Sequence, residues 1–273
     1  MTDRSCRAIA GLLVAFGLAV PTCAHGQIAV LSSTVEEKTA SAGDRYTGTI
    51  VVSNPSAREQ TARIYQTDYR FAADGTSHFD EPGTSGRSNA AWITTQMTRV
   101  VLAPGADVRV PYSVVIPPGD SLRGTYWSAI MVEGTPSEVA SRPEAAPGAP
   151  SMAVGSVIRY AVQVATHIQA TGSRDVRFES TVASRTESGA TVLDLDVINA
   201  GERGYRPVMW VEVYDSEGVL RAKARQSRGL LFPGTSLHQH FDLGALVPGV
   251  YKTVVFADTG EETVYAKQFA IAY

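Results

Sequence analysis

From residue 107 to 116 the side chains alternate with a period of two. Val108, Val110, Tyr112, Val114 and Ile116 fall on one side, and Asp107, Arg109, Pro111 and Ser113 on the other. This is the pattern of a strand with one face buried and one face in water. Segments of the same kind run over 46–54, 61–71, 91–102 and 125–132. Turn signals punctuate them at Asn54-Pro55, Asp74-Gly75, Pro104-Gly105 and Pro117-Pro118-Gly119. Past the first 26 residues no helical stripe exceeds two turns, so successive strands must pack without helices between them, as in a sandwich or barrel.

The alternation lapses over 134–152, which holds four prolines and many alanines; this stretch is expected to be a flexible or extended loop. It resumes over 154–168, with Val154, Ile158, Tyr160, Val162, Val164 and Ile168 on one face and Arg159, Gln163 and His167 on the other. Seven further strands are expected at 176–183, 190–199, 208–215, 219–225, 236–243, 251–258 and 263–271. Hairpin turns fall at Asp215-Ser216-Glu217-Gly218 and Asp258-Thr259-Gly260. Seven strands in about 100 residues is the count of an immunoglobulin-like sandwich. The expected fold is all-β: two tandem immunoglobulin-like β-sandwiches, at 27–170 and 171–273.

Residues 1–26 have a different character. Arg4 and Arg7 precede an apolar run over 8–20, too short for the roughly 20 residues of a membrane-spanning helix, and Pro21 follows it. This is the pattern of a cleaved signal peptide, with Ala24 and Gly26 at the −3 and −1 positions for a cut after 26, or a cut after Ala24. Val20-Pro21-Thr22-Cys23 is a poor lipid-attachment box, because such boxes carry Gly, Ala or Ser where Thr22 stands. Cleavage at 26 removes both cysteines, two of the 24 basic residues and one of the 27 acidic residues. The remaining 22 basic and 26 acidic residues give a charge of −4, with no disulfide framework. Such a chain must rest on ordinary hydrophobic cores, and its mild acidity argues against nucleic acid or anionic lipid as a partner.

The order of features in 30–170 resembles that of the periplasmic chaperones of the chaperone-usher pilus pathway and their wider PapD-like immunoglobulin-like superfamily. The matching features are a strand ending in Asn54-Pro55, then Trp92-Ile93, then Leu102-Ala103-Pro104-Gly105 ahead of a strand closing at Ile116-Pro117, then Gly124-Thr125-Tyr126-Trp127. A Pro-rich loop before an alternating last strand completes the set. The resemblance implies an exported protein-binding role with no catalysis. In that family an arginine in the first strand and a lysine in the last anchor the partner's terminal carboxylate, and an Arg-Pro marks the junction. Here the first strand reads IAVLSSTVEEK, the last offers Arg159 without a lysine, and the junction reads Ala170-Thr171-Gly172. No residue is assigned as a carboxylate anchor. Cell-surface proteins whose tandem immunoglobulin-like domains bind other surface proteins or peptidoglycan show a similar order at Trp92, Leu102 and Gly124, and stand as the alternative.

Motifs with catalytic resemblance have simpler readings. Asp258-Thr259-Gly260 matches the aspartic-protease triplet, but a lone copy between two strands is a hairpin turn. Gly119-Asp120-Ser121 resembles an esterase nucleophile block, yet it lacks the paired Asp-x-x-His and the α/β setting. His238 and His240, with Asp242, fit a metal-ligating spacing on a strand, but the reading taken is the wet face of a strand whose other side is Leu237, Gln239, Phe241 and Leu243. His78 and His167 are expected at the surface. No catalytic residue, metal site or cofactor is therefore assigned. The strand at 154–168 carries the functional expectation, because an apolar edge strand can complete another protein's sheet. Ile158, Tyr160, Val162 and Val164 are its expected partner-binding residues. The partner is a pilus-like subunit or a surface protein, met in the periplasm or outside the cell.

Overall fold

The computed structural model describes residues 28–135 and 157–272. The leader expected over 1–26, with both cleavage positions, lies outside the described residues, as does the expected loop from 136 to 152. Gly134 and Thr135, placed in that loop by sequence, are instead the end of a strand.

The first sandwich comprises β1 (Ala29–Val30), β2 (Val35–Ala40), β3 (Arg45–Ser53), β4 (Gln60–Phe71), β5 (Ser77–Asp80), β6 (Ile93–Thr95), β7 (Arg99–Leu102), β8 (Asp107–Val115), β9 (Gly124–Thr135) and β10 (Arg159–Ile168). One sheet has the order β1-β3-β8-β6. The other runs β2-β10-β9-β4-β5, with β7 also on β4. Inward side chains of both sheets, among them Ile50, Val52, Ile64, Val110, Val114, Ile130, Val162 and Val164, form one core. Each such fully buried aliphatic side chain contributes about 1.5–3 kcal/mol.

The second sandwich comprises β11 (Val176–Arg185), β12 (Thr191–Asn199), β13 (Val208–Tyr214), β14 (Leu220–Ser227), β15 (Ser236–Gly244), β16 (Val250–Asp258) and β17 (Val264–Ala272). Its sheets run β11-β12-β15 and β14-β13-β16-β17 around a core that includes Leu193, Leu195, Met209, Val211, Phe241 and Val255. All seven strands expected there are present.

One expected strand is not continuous. The segment 91–102 opens with a 3-10 turn at Ala90–Trp92 and splits into β6, which pairs with β8, and β7, which pairs with β4 in the opposite sheet. The crossing falls at 96–98, where Gln96 N–H still donates to the Pro111 carbonyl of β8 but the Thr98 carbonyl already accepts Ile64 N–H of β4. Upstream, the side-chain amide of buried Asn89 fixes the start of the 3-10 turn, donating to the Val164 and Tyr126 carbonyls and accepting from the Ser128 hydroxyl at 2.6 Å. The inward residues are odd-numbered in β6 (Ile93) and even-numbered in β7 (Val100 and Leu102), with 96–99 exposed between them, so the alternation changes phase where the chain changes sheet.

Each sandwich contains the same asparagine clamp. Asn54 Nδ2 donates to the carbonyls of Arg58 (2.7 Å), Leu102 (3.0 Å) and Ala103 (3.1 Å), while its Oδ1 accepts from Ser56 N–H. Asn199 Nδ2 donates to the carbonyls of Arg203 (2.8 Å) and Leu231 (3.0 Å), while its Oδ1 accepts from Gly201 N–H. The turns they hold read Leu102-Ala103-Pro104-Gly105 and Leu231-Phe232-Pro233-Gly234, and in each the glycine N–H bonds the asparagine's own carbonyl. Gly105 and Gly234 adopt φ of 69° and 73°, a left-handed conformation that favours glycine.

The sandwiches meet through a small apolar cluster of Trp127, Ala165, Leu230 and Phe232. Phe232 stacks flat on Trp127, with centroids 4.7 Å apart and planes 4° from parallel, and Trp127 Nε1 donates to the Tyr69 carbonyl. Polar contacts surround it. Thr125 N–H donates to the Glu202 carbonyl at 2.9 Å, Gly204 N–H donates to Thr125 Oγ1 at 2.8 Å, and Arg203 donates to the Thr171 carbonyl at 3.1 Å. Gly124 has φ of 75°, and a Cβ there would overlap the Glu202 carbonyl oxygen.

Candidate protein-binding edge

β10 is covered unevenly on its two sides. Along its whole length it pairs antiparallel with β9, from Arg159 opposite Glu133 to Ile168 opposite Gly124. On its other side β2 runs parallel to it only from Gln163 opposite Val35 to Ile168 opposite Ala40. Among the described residues, 157–162 have no strand on that side.

The hydrogen-bond alternation shows which groups are left over. The Ile158 carbonyl accepts Gly134 N–H from β9, whereas Gln163 N–H donates outward to the Thr34 carbonyl. In an antiparallel ladder the residues that bond one neighbour alternate with those that bond the other. Even-numbered residues therefore bond β9, and the backbone groups of Arg159 and Ala161 point to the open side.

The four residues singled out by sequence divide into two pairs. Val162 and Val164 are 0% exposed and belong to their own sandwich's core. Ile158 and Tyr160 are half-buried at the open end, beside Val157, which is 41% exposed. Tyr160 packs against the core and its hydroxyl donates to the Ile28 carbonyl at 3.1 Å. Arg159 pairs with Glu133 at 2.8 Å, and Glu133 also accepts the Tyr65 hydroxyl at 2.7 Å. The charge of Arg159 is thus matched within the chain.

His167, expected at the surface, is only 8% exposed. Alternation rightly turns it away from its own core, but the second sandwich covers that side of β10. The Thr125 hydroxyl accepts Gly204 N–H and stands 2.7 Å from His167 Nδ1, while Nε2 faces Glu37 at 3.4 Å. This network favours the tautomer with its proton on Nε2. Glu37 also pairs with Arg206. Burial, with Arg203 and Arg174 nearby, holds the imidazole below its ordinary value in spite of Glu37. Glu37, Arg174, Arg203 and Arg206 were not singled out by sequence, since no periodicity reports which loop meets which strand across a junction.

The remaining motifs lie where local reading put them. Asp258-Thr259-Gly260 starts the turn between β16 and β17, and Gly260 N–H donates to Asp258 Oδ1. Gly119-Asp120-Ser121 lies between β8 and β9. His238, His240 and Asp242 lie exposed along β15, and His78 is exposed on β5. The carboxylates facing the histidines come from β12. His238 Nδ1 is 2.8 Å from Asp196 and His240 Nδ1 is 2.7 Å from Asp194. Hydrogen bonding to Asp196, and then Asp194, raises the His238 pKa. Among the described residues no group of three His, Cys, Asp or Glu side chains is placed to hold a metal ion, and no helix is long and apolar enough to cross a membrane.

No protein-family model matches the chain, and no curated protein matches it. Among solved structures it is similar to a chaperone–tip adhesin complex of CFA/I fimbriae biogenesis, with TM-score 0.45 and 13% identity over 90% of this chain and 98% of that one. It is similar to the class 5 fimbriae chaperone CfaA, with TM-score 0.44 and 12% identity over 88% and 98%. It is also similar to the CsuC-CsuE chaperone–tip adhesion subunit complex from the archaic chaperone-usher Csu pili of Acinetobacter baumannii, with TM-score 0.45 and 10% identity over 89% and 98%. These are proteins of the kind that the motif order in 30–170 resembles. At such identities, residue roles must be read from this chain's own geometry.

Proposed function

We propose that this is a non-catalytic, exported protein that captures other proteins by strand addition along the open edge of β10, in the manner of a periplasmic chaperone of pilus or fimbrial assembly. The reading takes residues 1–26 as a leader removed on export to the periplasm, and 27–170 and 171–273 as its two units. The observation that carries it is the stretch 157–162, which among the described residues has no strand on its outer side and where Arg159 and Ala161 turn their backbone groups outward beside half-buried Ile158 and Tyr160. A partner strand laid there gains main-chain hydrogen bonds, and the side chains at 158 and 160 set its register. Val162 and Val164 act from within, holding β10 rigid against its own core. The partner that fits is a protein with an incomplete sheet.

Ala161→Pro is the test. The Ala161 N–H points to the open side, so proline spares the bonds to β9 while removing a donor from the edge and blocking an added strand. Recovery of the native partner with the tagged protein should fall ~10-fold or more, with thermal stability held near that of the parent. Undiminished recovery would refute the proposal.

A further inference from the structure

The two outer faces of the second sandwich differ in kind. The face of β11-β12-β15 presents Asp194, Asp196, His238, His240 and Asp242, a charged surface suited to water. On the opposite sheet, the outward residues of β16 and β17 read Val250, Lys252, Val254, Phe256, Asp258 and Val264, Ala266, Gln268, Ala270, Ala272. β17 thus brings no charge to this face. Val250 and Val264 are 65% and 45% exposed, and Trp210 of β13 stacks on Phe256 at 4.9 Å. Next to them lies a groove of about 800 Å³ lined by Tyr214, Lys252, Val254, Phe256, Gln268 and Ala270. Besides Lys252 and Asp258, the charges on this outer face lie on β13 and β14, at Glu212, Lys223 and Arg225, so the half formed by β16 and β17 is the part expected to be covered.

The charges on β16 indicate what covers it. Lys252 and Asp258 stand three residues on either side of Val255, roughly 20 Å apart along the strand. Lys252 lies opposite Tyr214 and Ala270, and Asp258 opposite Val208 and Val264, so neither meets a countercharge across the sheet. Neither forms an ion pair among the described residues, unlike neighbouring Glu212 and Lys223, which pair at 2.7 Å. The sequence of outward residues, Lys252, Val254, Phe256, Asp258, is complementary to itself when reversed.

We infer that this face is a homodimer interface, in which β16 packs against β16 of a second copy about a two-fold axis through the row Val211, Val255 and Lys267. That axis reverses the strand, placing Lys252 over Asp258 of the second copy and Asp258 over its Lys252, with Phe256 over Val254 between them. The small side chains of Ala266 and Ala270 admit the facing sheet at the usual ~10 Å spacing. The contact is isologous and closes on itself. It uses only the second sandwich, so both β10 edges stay free.

Sedimentation equilibrium of the full chain tests this. The parent is expected to be a dimer, and Val254→Arg a folded monomer. Lys252→Asp and Asp258→Lys should each weaken dimerisation ~10-fold or more. The double swap should restore it, and an equimolar mixture of the two single variants should form a heterodimer, because each then meets only opposite charge. Asp258→Asn, which keeps the acceptor for Gly260 N–H, should weaken the dimer with the fold intact. A monomeric parent, a dimer indifferent to Val254→Arg, or a double swap as weak as either single variant overturns the inference. So does a monomer whose groove binds a small ligand instead.

Discussion

The two asparagine clamps are nearly superimposable in chemistry and opposite in use. In the first sandwich the residue after the clamped leucine is Ala103, exposed at a turn in solvent; in the second it is Phe232, fully buried against Trp127 of the first sandwich. The local hydrogen bonds match except that Asn54 also reaches the Ala103 carbonyl, so the clamp specifies the turn and leaves the next side chain free to vary. One turn simply closes its own sandwich, whereas the other has become the wedge that joins two sandwiches. The junction thus rests on a turn that its own hydrogen bonds hold.

Three measurements break or sharpen that comparison. Phe232→Ala should have the largest effect, a loss of about 3–5 kcal/mol. Calorimetry should then show two separated transitions, since the stacked pair at the centre of the junction is gone; Ala103→Phe should change stability by less than about 0.5 kcal/mol. Asn54→Ala and Asn199→Ala come next, each leaving carbonyls without donors at a cost of about 1–3 kcal/mol. The first should lower only the transition of its own sandwich. The second should lower the other transition and also loosen the coupling, because its turn carries Phe232.

The smallest effect is in pH. His167 at the junction has its pKa lowered by burial, so the unfolded chain takes up a proton before the folded one does. Its contribution is therefore lost as pH falls below the ordinary histidine value of about 6.5. His238 has its pKa raised by Asp196 and Asp194, so its contribution is complete below about 6.5 and is lost as pH rises through its folded value. Melting from about pH 7.5 down to about 5.5 should weaken the junction while slightly strengthening the second sandwich. His167→Gln should abolish the first trend, and His238→Gln the second. The second trend is the weaker, because the His238 side chain is 49% exposed and solvent screens its pairs.

The all-β plan and the seven strands of the second sandwich were readable from alternation, because each strand there keeps one wet face. Alternation failed where a face has no single neighbour. It ran 91–102 together although the inward positions shift from odd at Ile93 to even at Val100 and Leu102, and it put His167 in water because Ala165 and His167 face a second sandwich that local pattern does not see. For the site, it found β10 and the residues whose side chains line one face. Alternation of side chains says nothing of the in-plane backbone groups, so the outward direction of those of Arg159 and Ala161 emerged only from the pairings of β10. The repeated Asn…Leu-x-Pro-Gly spacing of the clamps was a signal present in the sequence, and it also marks Phe232.

β1 belongs to one sheet and β2 to the other, with residues 31–34 making the passage between them. The point of crossing therefore works as a ruler. β2 takes up its place beside β10 at Gln163, and whatever precedes that point is the length on offer. Under the strand addition proposed above, a longer or shorter N-terminal segment would shorten or lengthen the docking track without touching a residue of β10, so partner choice would be partly written at the opposite end of the sandwich's sequence.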